Sequence, residues 1–233
     1  MSTGKSMLVG GAIALLLVAG VAAAVALHVG VLPAKSAATP RIVAVAFVLP
    51  GSDGVIAPRA IDVYLATASG WTVRSVSPST PVDVSGTGGS TLADAYSFGG
   101  GEGLKSAVGS TLGVPVDAWV IVDESTWLRL HGAAALSLDL PADIEVFDGS
   151  RLYSFAKGNA HVAADELAQV LAGSAFLSAG QSAQVRAGVG DAVGRALAGN
   201  AARAVGSVHT DMSEATLGAW LGGVGSAHRI AGN

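Results

Sequence analysis

An uncharged apolar run close to the N-terminus divides this chain into two parts. Residues 7–27 read MLVGGAIALLLVAGVAAAVAL, 21 residues without a charge. At roughly 1.5 Å per residue, a helix of this length crosses the roughly 30 Å hydrocarbon core of a bilayer. The alternative is a cleaved signal peptide, because AKSA around Lys35 has small residues at a cleavage-like spacing. The run exceeds the signal-peptide core of roughly 7–15 residues, so we expect an uncleaved single-pass transmembrane helix.

The charges that flank the run predict its orientation. Lys5 precedes it, and the first charge after it is Lys35. The positive-inside rule then makes residues 1–6 a cytoplasmic stub and places the bulk of the chain outside the membrane. Residues 28–40 form a short linker, and residues 41–233 form one extracytoplasmic domain, since no repeat or change of composition divides them. We expect localisation at the cell membrane.

Composition limits the functions open to the outer domain. Hydrophobic residues make up 51% of the chain and charged residues 13%, which favours a sizeable core over disorder. Thirteen Lys and Arg against seventeen Asp and Glu give a net charge of −4 with no basic block, so no nucleic-acid partner is expected. The chain has no cysteine, which excludes disulfides, thiolate zinc sites and a cysteine nucleophile.

Hydrophobic patterning predicts an α/β fold, a central mixed β-sheet sandwiched between helices. Residues 85–91, SGTGGST, are expected to form a flexible loop. Strands are predicted at 41–49, 62–68, 72–77, 115–125 and 135–141. Helices are predicted at 102–113 with Gly113 as C-terminal cap, 125–133, 162–172, 181–199, and 211–222 with Ser213 as N-terminal cap.

The standard catalytic motifs are missing from the sequence. SFGGGEGLKS (97–106) lacks the Gly-Lys-Ser/Thr of a phosphate-binding loop because Leu104 interrupts it. There is no G-x-S-x-G elbow, and the five histidines form no H-x-x-x-H or H-E-x-x-H pair. Nucleotide-binding, hydrolase and zinc-enzyme functions are therefore disfavoured.

Two aspartates lie close after the first predicted strand. Asp53 lies in the turn that follows this strand and Asp62 opens the next strand, so both side chains could meet at one end of the sheet and hold a hard divalent cation. The simpler alternative, preferred on these two residues alone, is a turn residue and a strand-start residue.

A longer stretch carries a family resemblance. Residues 91–130, TLADAYSFGGGEGLKSAVGSTLGVPVDAWVIVDESTWLRL, resemble the LytR-CpsA-Psr family, whose domains contain K-I-N-A-A-Y-x-x-G-G, a helix, and G-I-P-I-D-x-Y-V-V-V-D. The similarity continues through 136–143, 158–167 and VHTDMS at 208–213. The matching positions, without a gap, are Ala95, Tyr96, Gly99, Gly100, Glu102, Leu112, Gly113, Pro115, Asp117, Val120, Val122 and Asp123.

The resemblance implies an extracytoplasmic enzyme that transfers a glycopolymer phosphate from a polyprenyl-pyrophosphate carrier to peptidoglycan. It also implies Asp-bound Mg²⁺ and arginines around the diphosphate. On the family's G-x-D and R-x-D-T positions lie Asp53, Arg59 and Asp62, with one extra residue between Arg59 and Asp62. Arg186 stands in the reduced R-x-x-R-Q element. The resemblance thus makes Arg59 and Arg186 residual ligand-binding residues, and Asp53 and Asp62 residual metal ligands.

Several charged positions of the family pattern are replaced in this chain. Pro78 and Ser79 stand where the pattern has Arg and Asp, and Thr91 and Ala93 where it has Lys and Asn. LAGSAF (171–176) replaces an arginine-containing Y-V-R-x-R element. Losing one oriented charge stabiliser raises a barrier by about 2.7–4 kcal/mol, so losing several predicts negligible turnover.

We therefore expect a noncatalytic envelope protein without a resident cofactor, which binds a polyprenyl-linked lipid or glycopolymer or scaffolds an active protein partner. Apolar walls for a lipid are expected from 118–122 and from Leu104, Val108 and Leu112. Two alternatives stay open. One is a residual phosphotransferase that uses Mg²⁺ with Asp53, Asp62, Arg59 and Arg186. The other is a structural subunit of a membrane complex.

Overall fold

The computed structural model describes residues 39–50, 54–86 and 88–230. In chain order, the strands are β1 (Ile42–Pro50), β2 (Ile56–Thr67), β3 (Gly70–Val76), β4 (Pro81–Val84), β5 (Gly89–Thr91), β6 (Ala118–Asp123), β7 (Leu136–Leu140), β8 (Ile144–Phe147), β9 (Leu152–Phe155), β10 (Gly158–Val162), β11 (His209–Thr210) and β12 (His228–Arg229). The helices are α1 (Leu92–Leu112), α2 (Glu124–His131), α3 (Leu167–Ser174), α4 (Ala179–Gly199), α5 (Ala201–Val205) and α6 (Glu214–Val224), with a 3₁₀ turn at Ala164–Glu166.

A central six-stranded sheet has the order β11-β6-β1-β2-β3-β12. Strand β1 pairs parallel to β6 and antiparallel to β2, and β12 pairs parallel to β3. The predicted mixed sheet is therefore confirmed. Three separate strand pairs, β4–β5, β7–β10 and β8–β9, complete the described strands.

Helices cover both faces of this sheet, as the sequence predicts. Alternate residues of β1 point to opposite sides: Val43, Val45 and Phe47 join one apolar core, whereas Ala44 and Ala46 join the other. The first core is closed by α2, α3, α4, α5 and α6, and the second by α1. Because β1 is buried on both faces, its sequence is a continuous apolar run rather than an alternating one.

Some strands differ from the sequence prediction. Strand β2 starts at Ile56 rather than near 62, because an irregularity in its pairing with β1 accommodates Pro58. Residues 89–91 of the predicted loop form β5, which pairs with β4. The β8–β9 hairpin and β10 were not predicted, since their short segments lack a sustained apolar alternation.

Helix boundaries also shift. Helix α1 begins at Leu92, well before the predicted start at 102, because Thr91 and Asp94 form a capping box. Gly100, with φ 58° and ψ −147°, interrupts it at the Gly99–Gly101 run. Gly113 ends it in the left-handed conformation, as predicted. The predicted helix at 162–172 starts only at Leu167, because β10 extends to Val162.

The expected transmembrane helix at 7–27, the cytoplasmic stub at 1–6 and Asp53 lie outside the described residues. Within the residues that are described, every helix is too short or too polar to traverse a bilayer.

Candidate functional site

The candidate site lies at the end of the sheet where β1 and β6 finish and β2 begins. Strands β1 and β6 run parallel, and Val48 near the end of β1 pairs with Asp123 at the end of β6. In open α/β sheets, ligands bind outside the carboxyl ends of parallel strands. At this end of the sheet, β1 ends at Pro50 and β2 begins at Ile56.

Arg59 lies at a β-bulge in β2. Phe47 pairs with Ala60 and Val48 with Pro58, so Arg59 is the extra residue on the bulged strand. A bulge adds one residue and re-aims a side chain. Arg59 is half-buried, and it forms no ion pair with any residue in 39–50, 54–86 or 88–230.

Asp62 is buried in the middle of β2, beneath α4. Its side chain is 4% exposed. A methyl group added at Gly190 of α4 would come within 2.0 Å of Asp62 Oδ2. Glycine at this position thus lets α4 approach the carboxylate closely.

Both oxygens of Asp62 bind Arg229 of β12. Arg229 Nη1 donates to Oδ1 at 3.0 Å, and Nη2 donates to Oδ2 at 2.9 Å. Ser75 of β3 donates its hydroxyl to Asp62 Oδ1 at 2.6 Å and also contacts Arg229 Nη1. Arg229 Nε and Nη2 further donate to Asp191 Oδ1 of α4 at 2.9 and 2.6 Å. We call Asp62, Ser75, Asp191 and Arg229 the Asp62 ion cluster; Asp62 is buried, and the other three are partly exposed.

The Asp62 ion cluster shifts the pKa of Arg229 and of the neighbouring Tyr64. Burial lowers the pKa of Arg229, but its hydrogen bonds to Asp62 and Asp191 outweigh burial and raise that pKa above its usual range. Burial and, next, the charge of Asp62 raise the pKa of the Tyr64 hydroxyl. Arg229 is therefore a permanent cation, and Tyr64 stays neutral.

The described residues do not fit the Mg²⁺ that the resemblance implies. A Mg²⁺ ion requires accessible oxygen ligands in octahedral geometry. Both Asp62 oxygens already accept hydrogen bonds from Arg229, and the described parts of the chain contain no cluster of three or more acidic or histidine side chains suited to a metal. Asp53, the expected companion ligand, lies outside the described residues.

Arg186 of α4 lies toward the same sheet end as Arg59. Gly190 faces Asp62, and Gly194 faces the Tyr64 hydroxyl. Four residues of α4 therefore span the same length as two residues of β2, and the two elements run in the same direction. One turn before Gly190, the same register brings Arg186 to the level of Ala60. Arg186 Nη1 donates to the Ser182 hydroxyl at 2.7 Å, and burial lowers its pKa.

The turn at residues 77–80 closes the N-terminus of α1. The backbone N–H of Leu92 donates to the Thr80 carbonyl at 3.1 Å, and that of Ala93 donates to the Pro78 carbonyl at 2.9 Å. The N–H of Asp94 donates to the Thr91 hydroxyl at 3.2 Å. A helix N-terminus binds anions through free N–H groups. Here the first three N–H groups of α1 already donate to Thr80, Pro78 and Thr91.

Asp123 acts as the N-terminal cap of α2. Its Oδ1 accepts hydrogen bonds from the Thr126 N–H at 2.7 Å and the Ser125 hydroxyl at 2.9 Å. Burial raises its pKa, but these bonds outweigh burial and the net shift is downward. Its Oδ2 lies 3.7 Å from His209 Nε2. The last aspartate of the matched motif thus has a structural role in this chain.

An open groove of about 700 Å³ runs between α1 and β4. Apolar and small residues line much of it, among them Val82, Val84, Ala95, Phe98 and Ala107. Leu104 and Val108, which were expected to form a lipid wall, are fully buried against the sheet. The groove therefore lies along the side of α1 that carries Phe98 and Ser106, and not along the side of Leu104 and Val108 that the sequence predicted.

Sequence reasoning missed Arg229, Asp191 and Ser75. Arg229 sits in AHRI, a segment too short to show a strand pattern. One signal was available: Gly190 and Gly194 stand four residues apart on one face of α4. This spacing indicates close approach of a helix to a neighbour, with Asp191 beside it.

Comparisons with known proteins identify the fold. No protein-family model matches the sequence, and no curated protein matches it. Among solved structures, a LytR-Csp2A-Psr enzyme from Actinomyces oris matches with a TM-score of 0.62 and 14% identity, over 84% of this chain and 82% of that one. TagV from B. subtilis matches with a TM-score of 0.56 and 18% identity, over 83% of this chain and 85% of that one.

TagT, solved bound to LI-WTA, matches with a TM-score of 0.56 and 13% identity, over 83% of this chain and 78% of that one. At such identities the similarity establishes the fold alone. The resemblance to LytR-CpsA-Psr proteins is thus confirmed at the level of the fold.

Proposed function

We propose that this chain is a noncatalytic protein with the LytR-CpsA-Psr fold. It is anchored in the cell membrane by residues 7–27, with its main domain outside. There it binds a polyprenyl-linked lipid or envelope glycopolymer, or supports a catalytic partner. The observation that carries the proposal is the bidentate pair between Asp62 and Arg229. An aspartate that the family pattern assigns to a metal is held by the chain's own arginine.

The closed N-terminus of α1 supports the same proposal. Transfer of a phosphoryl group requires oriented cations and N–H donors around its oxygens. Pro78 and Ser79 lack the charges of the Arg and Asp that the family pattern has at these positions. The first N–H groups of α1 are already hydrogen-bonded within the chain. An incoming diphosphate would find few free donors there.

The groove between α1 and β4 supports a ligand with an apolar chain. Its volume of about 700 Å³ is within the usual range for small-molecule sites. Phe98 is 60% exposed there, and Asp83 is the charged residue that lines the groove. An isoprenoid tail satisfies such a surface better than a diphosphate, which Asp83 repels. TagT, which is similar to this chain in fold, was solved bound to LI-WTA, in line with the envelope glycopolymer named in the proposal.

Lipid capture by the full-length protein tests the proposal. The protein is purified in detergent, incubated with undecaprenyl phosphate, and analysed by native mass spectrometry. The exposed Ser106 lines the groove, so Ser106→Trp should fill it and abolish the lipid adduct. Ser97→Trp, on the same helix but outside the groove lining, is the matched control and should retain it. Equal lipid binding by both variants would contradict the assignment of the groove.

The residual phosphotransferase is a second candidate because Arg59 and Arg186 lie toward the same end of the sheet. Binding of pyrophosphate to the full-length protein separates the two functions. The noncatalytic proposal expects weak binding that does not respond to Mg²⁺. Tight, Mg²⁺-dependent binding that Arg59→Gln or Arg186→Gln removes would favour the enzyme.

A further inference from the structure

A second concave site lies between the end of α2, strand β7 and the C-terminal half of α4. It has a volume of about 390 Å³. Its floor is apolar, formed by Leu130, Leu136, Ala192 and Ala196. Because α4 passes Asp62 at Gly190 and Tyr64 at Gly194, this pocket lies farther along α4, away from the sheet end that holds Arg59.

His131 enters the pocket in a fixed orientation. Its ring stacks on Trp127 at 4.5 Å between centroids and 10° between planes. Trp127 is 1% exposed and is itself anchored, since its Nε1 donates to the Ala164 carbonyl at 2.9 Å. His131 Nε2 lies 3.1 Å from the Ala134 carbonyl, which only accepts, so this nitrogen carries the proton. In the neutral ring, Nδ1 is then an acceptor for a ligand hydroxyl.

Arg195 and Asn200 supply the other polar groups. Arg195 is exposed and forms no ion pair with any of the residues that the structure describes, and the pocket lining contains no carboxylate. Asn200 Nδ2 donates to the Ala196 carbonyl at 3.2 Å, which leaves its Oδ1 as an acceptor.

We propose that this pocket binds a hydroxylated ligand with a single anionic group, of the class of uronic acids and sugar phosphates. The Arg195 guanidinium pairs with the carboxylate or phosphate through two N–H donors. Asn200 Oδ1 and His131 Nδ1 bind ligand hydroxyls. The apolar floor contacts the C–H face of the ring. A mixture of apolar lining and a few convergent polar groups is typical of small-ligand sites. This inference does not depend on the proposed function.

Sugar titrations of the full-length protein in detergent test the inference. The probes are glucuronate, glucose 1-phosphate and neutral glucose, measured by isothermal titration calorimetry. Wild type should bind one or both anionic probes more tightly than glucose, and their relative affinity distinguishes a carboxylate site from a phosphate site. Arg195→Gln should weaken binding of the anionic probe by about tenfold, equivalent to about 1.4 kcal/mol, because it removes the charge-assisted pair.

Arg203→Gln is the matched control, since Arg203 is exposed on α5 outside the pocket lining, and its affinities should equal those of wild type. Asn200→Ala should weaken all three sugars, whereas Arg195→Gln leaves glucose unchanged. Circular dichroism melts establish that each variant is folded. The inference is overturned if folded wild type binds neither anionic probe, or if Arg195→Gln and Arg203→Gln bind them equally.

Discussion

Arg229 and Asp62 form a bidentate ion pair across an intervening strand. Arg229 is on β12 and Asp62 on β2, and β3 lies between them in the sheet. The two N–H to oxygen distances are 3.0 and 2.9 Å, and Ser75 of β3 joins the same pair. This pair links the short C-terminal strand to the centre of the sheet and neutralises a buried carboxylate.

Removing the arginine should destabilise the fold. In Arg229→Gln, the Asp62 carboxylate stays buried without its cation, and we expect the free energy of unfolding to fall by about 3 kcal/mol. The loss lies at the low end of the usual range because the Arg229 side chain is 20% exposed. The double variant Asp62→Asn/Arg229→Gln should recover part of it. Urea unfolding measures both, with Arg203→Gln as control. If Arg229→Gln were as stable as wild type, the stabilising role of the Asp62–Arg229 pair would be contradicted.

Replacing Gly190 of α4 by alanine should destabilise the protein, whereas the same change at Gly180 should not. An added methyl at Gly190 would lie 2.0 Å from Asp62 Oδ2, so Gly190→Ala forces α4 away from the sheet and lowers the melting temperature. Gly180 of the same helix has no neighbouring atom within 4 Å of that position. Gly180→Ala should therefore be neutral or stabilising by about 0.4–1 kcal/mol. Equal melting temperatures for the two variants would refute close packing at Gly190.

The cap of α1 should weaken in acid. The Ser90 N–H and the Thr91 hydroxyl donate to Asp94 and lower its pKa. A carboxyl with a depressed folded-state pKa contributes stability above the pH of about 3.9 at which the unfolded group titrates. That contribution is lost as pH falls through the folded-state pKa. The stability gap between wild type and Asp94→Asn should therefore shrink in acid, measured by urea unfolding across pH. A gap that does not change with pH would be inconsistent with this cap.

Divalent cations should not stabilise the protein through Asp62. Because Arg229 already binds both oxygens of this carboxylate, we expect the same melting temperature in MgCl₂ and in EDTA. A stabilisation by Mg²⁺ that disappears in Asp62→Asn would show that the metal displaces Arg229.

The central strands were predictable because their sequence signal is local. Residues 41–49 are apolar and β-branched without interruption, and the structure buries them on both faces as β1. Gly113 and Ser213 end and begin helices by their own backbone and side-chain chemistry, so both caps were found. The sequence did not predict the N-terminal half of α1, because Gly99 and Gly100 lower helix propensity. The capping box at Thr91 nevertheless starts the helix at Leu92.

The Asp62 ion cluster could not be predicted, because it depends on contacts between residues far apart in sequence. Asp62 and Arg229 are separated by 167 positions, and neither belongs to a motif that names the other. The family resemblance predicts that Asp62 is a metal ligand, whereas the structure shows its carboxylate bound by Arg229. What decides its role here is the tertiary placement of β12 beside β3.

Turnover is the most direct test of the proposal that this chain is noncatalytic. Full-length protein in detergent is incubated with a polyprenyl-pyrophosphate-linked glycan, with and without Mg²⁺, and released phosphate and lipid products are quantified. We expect no turnover above that of an Asp62→Ala control, because Asp62 is held by Arg229 and Pro78 and Ser79 provide no charge. Mg²⁺-dependent turnover by wild type that Asp62→Ala abolishes would contradict the account.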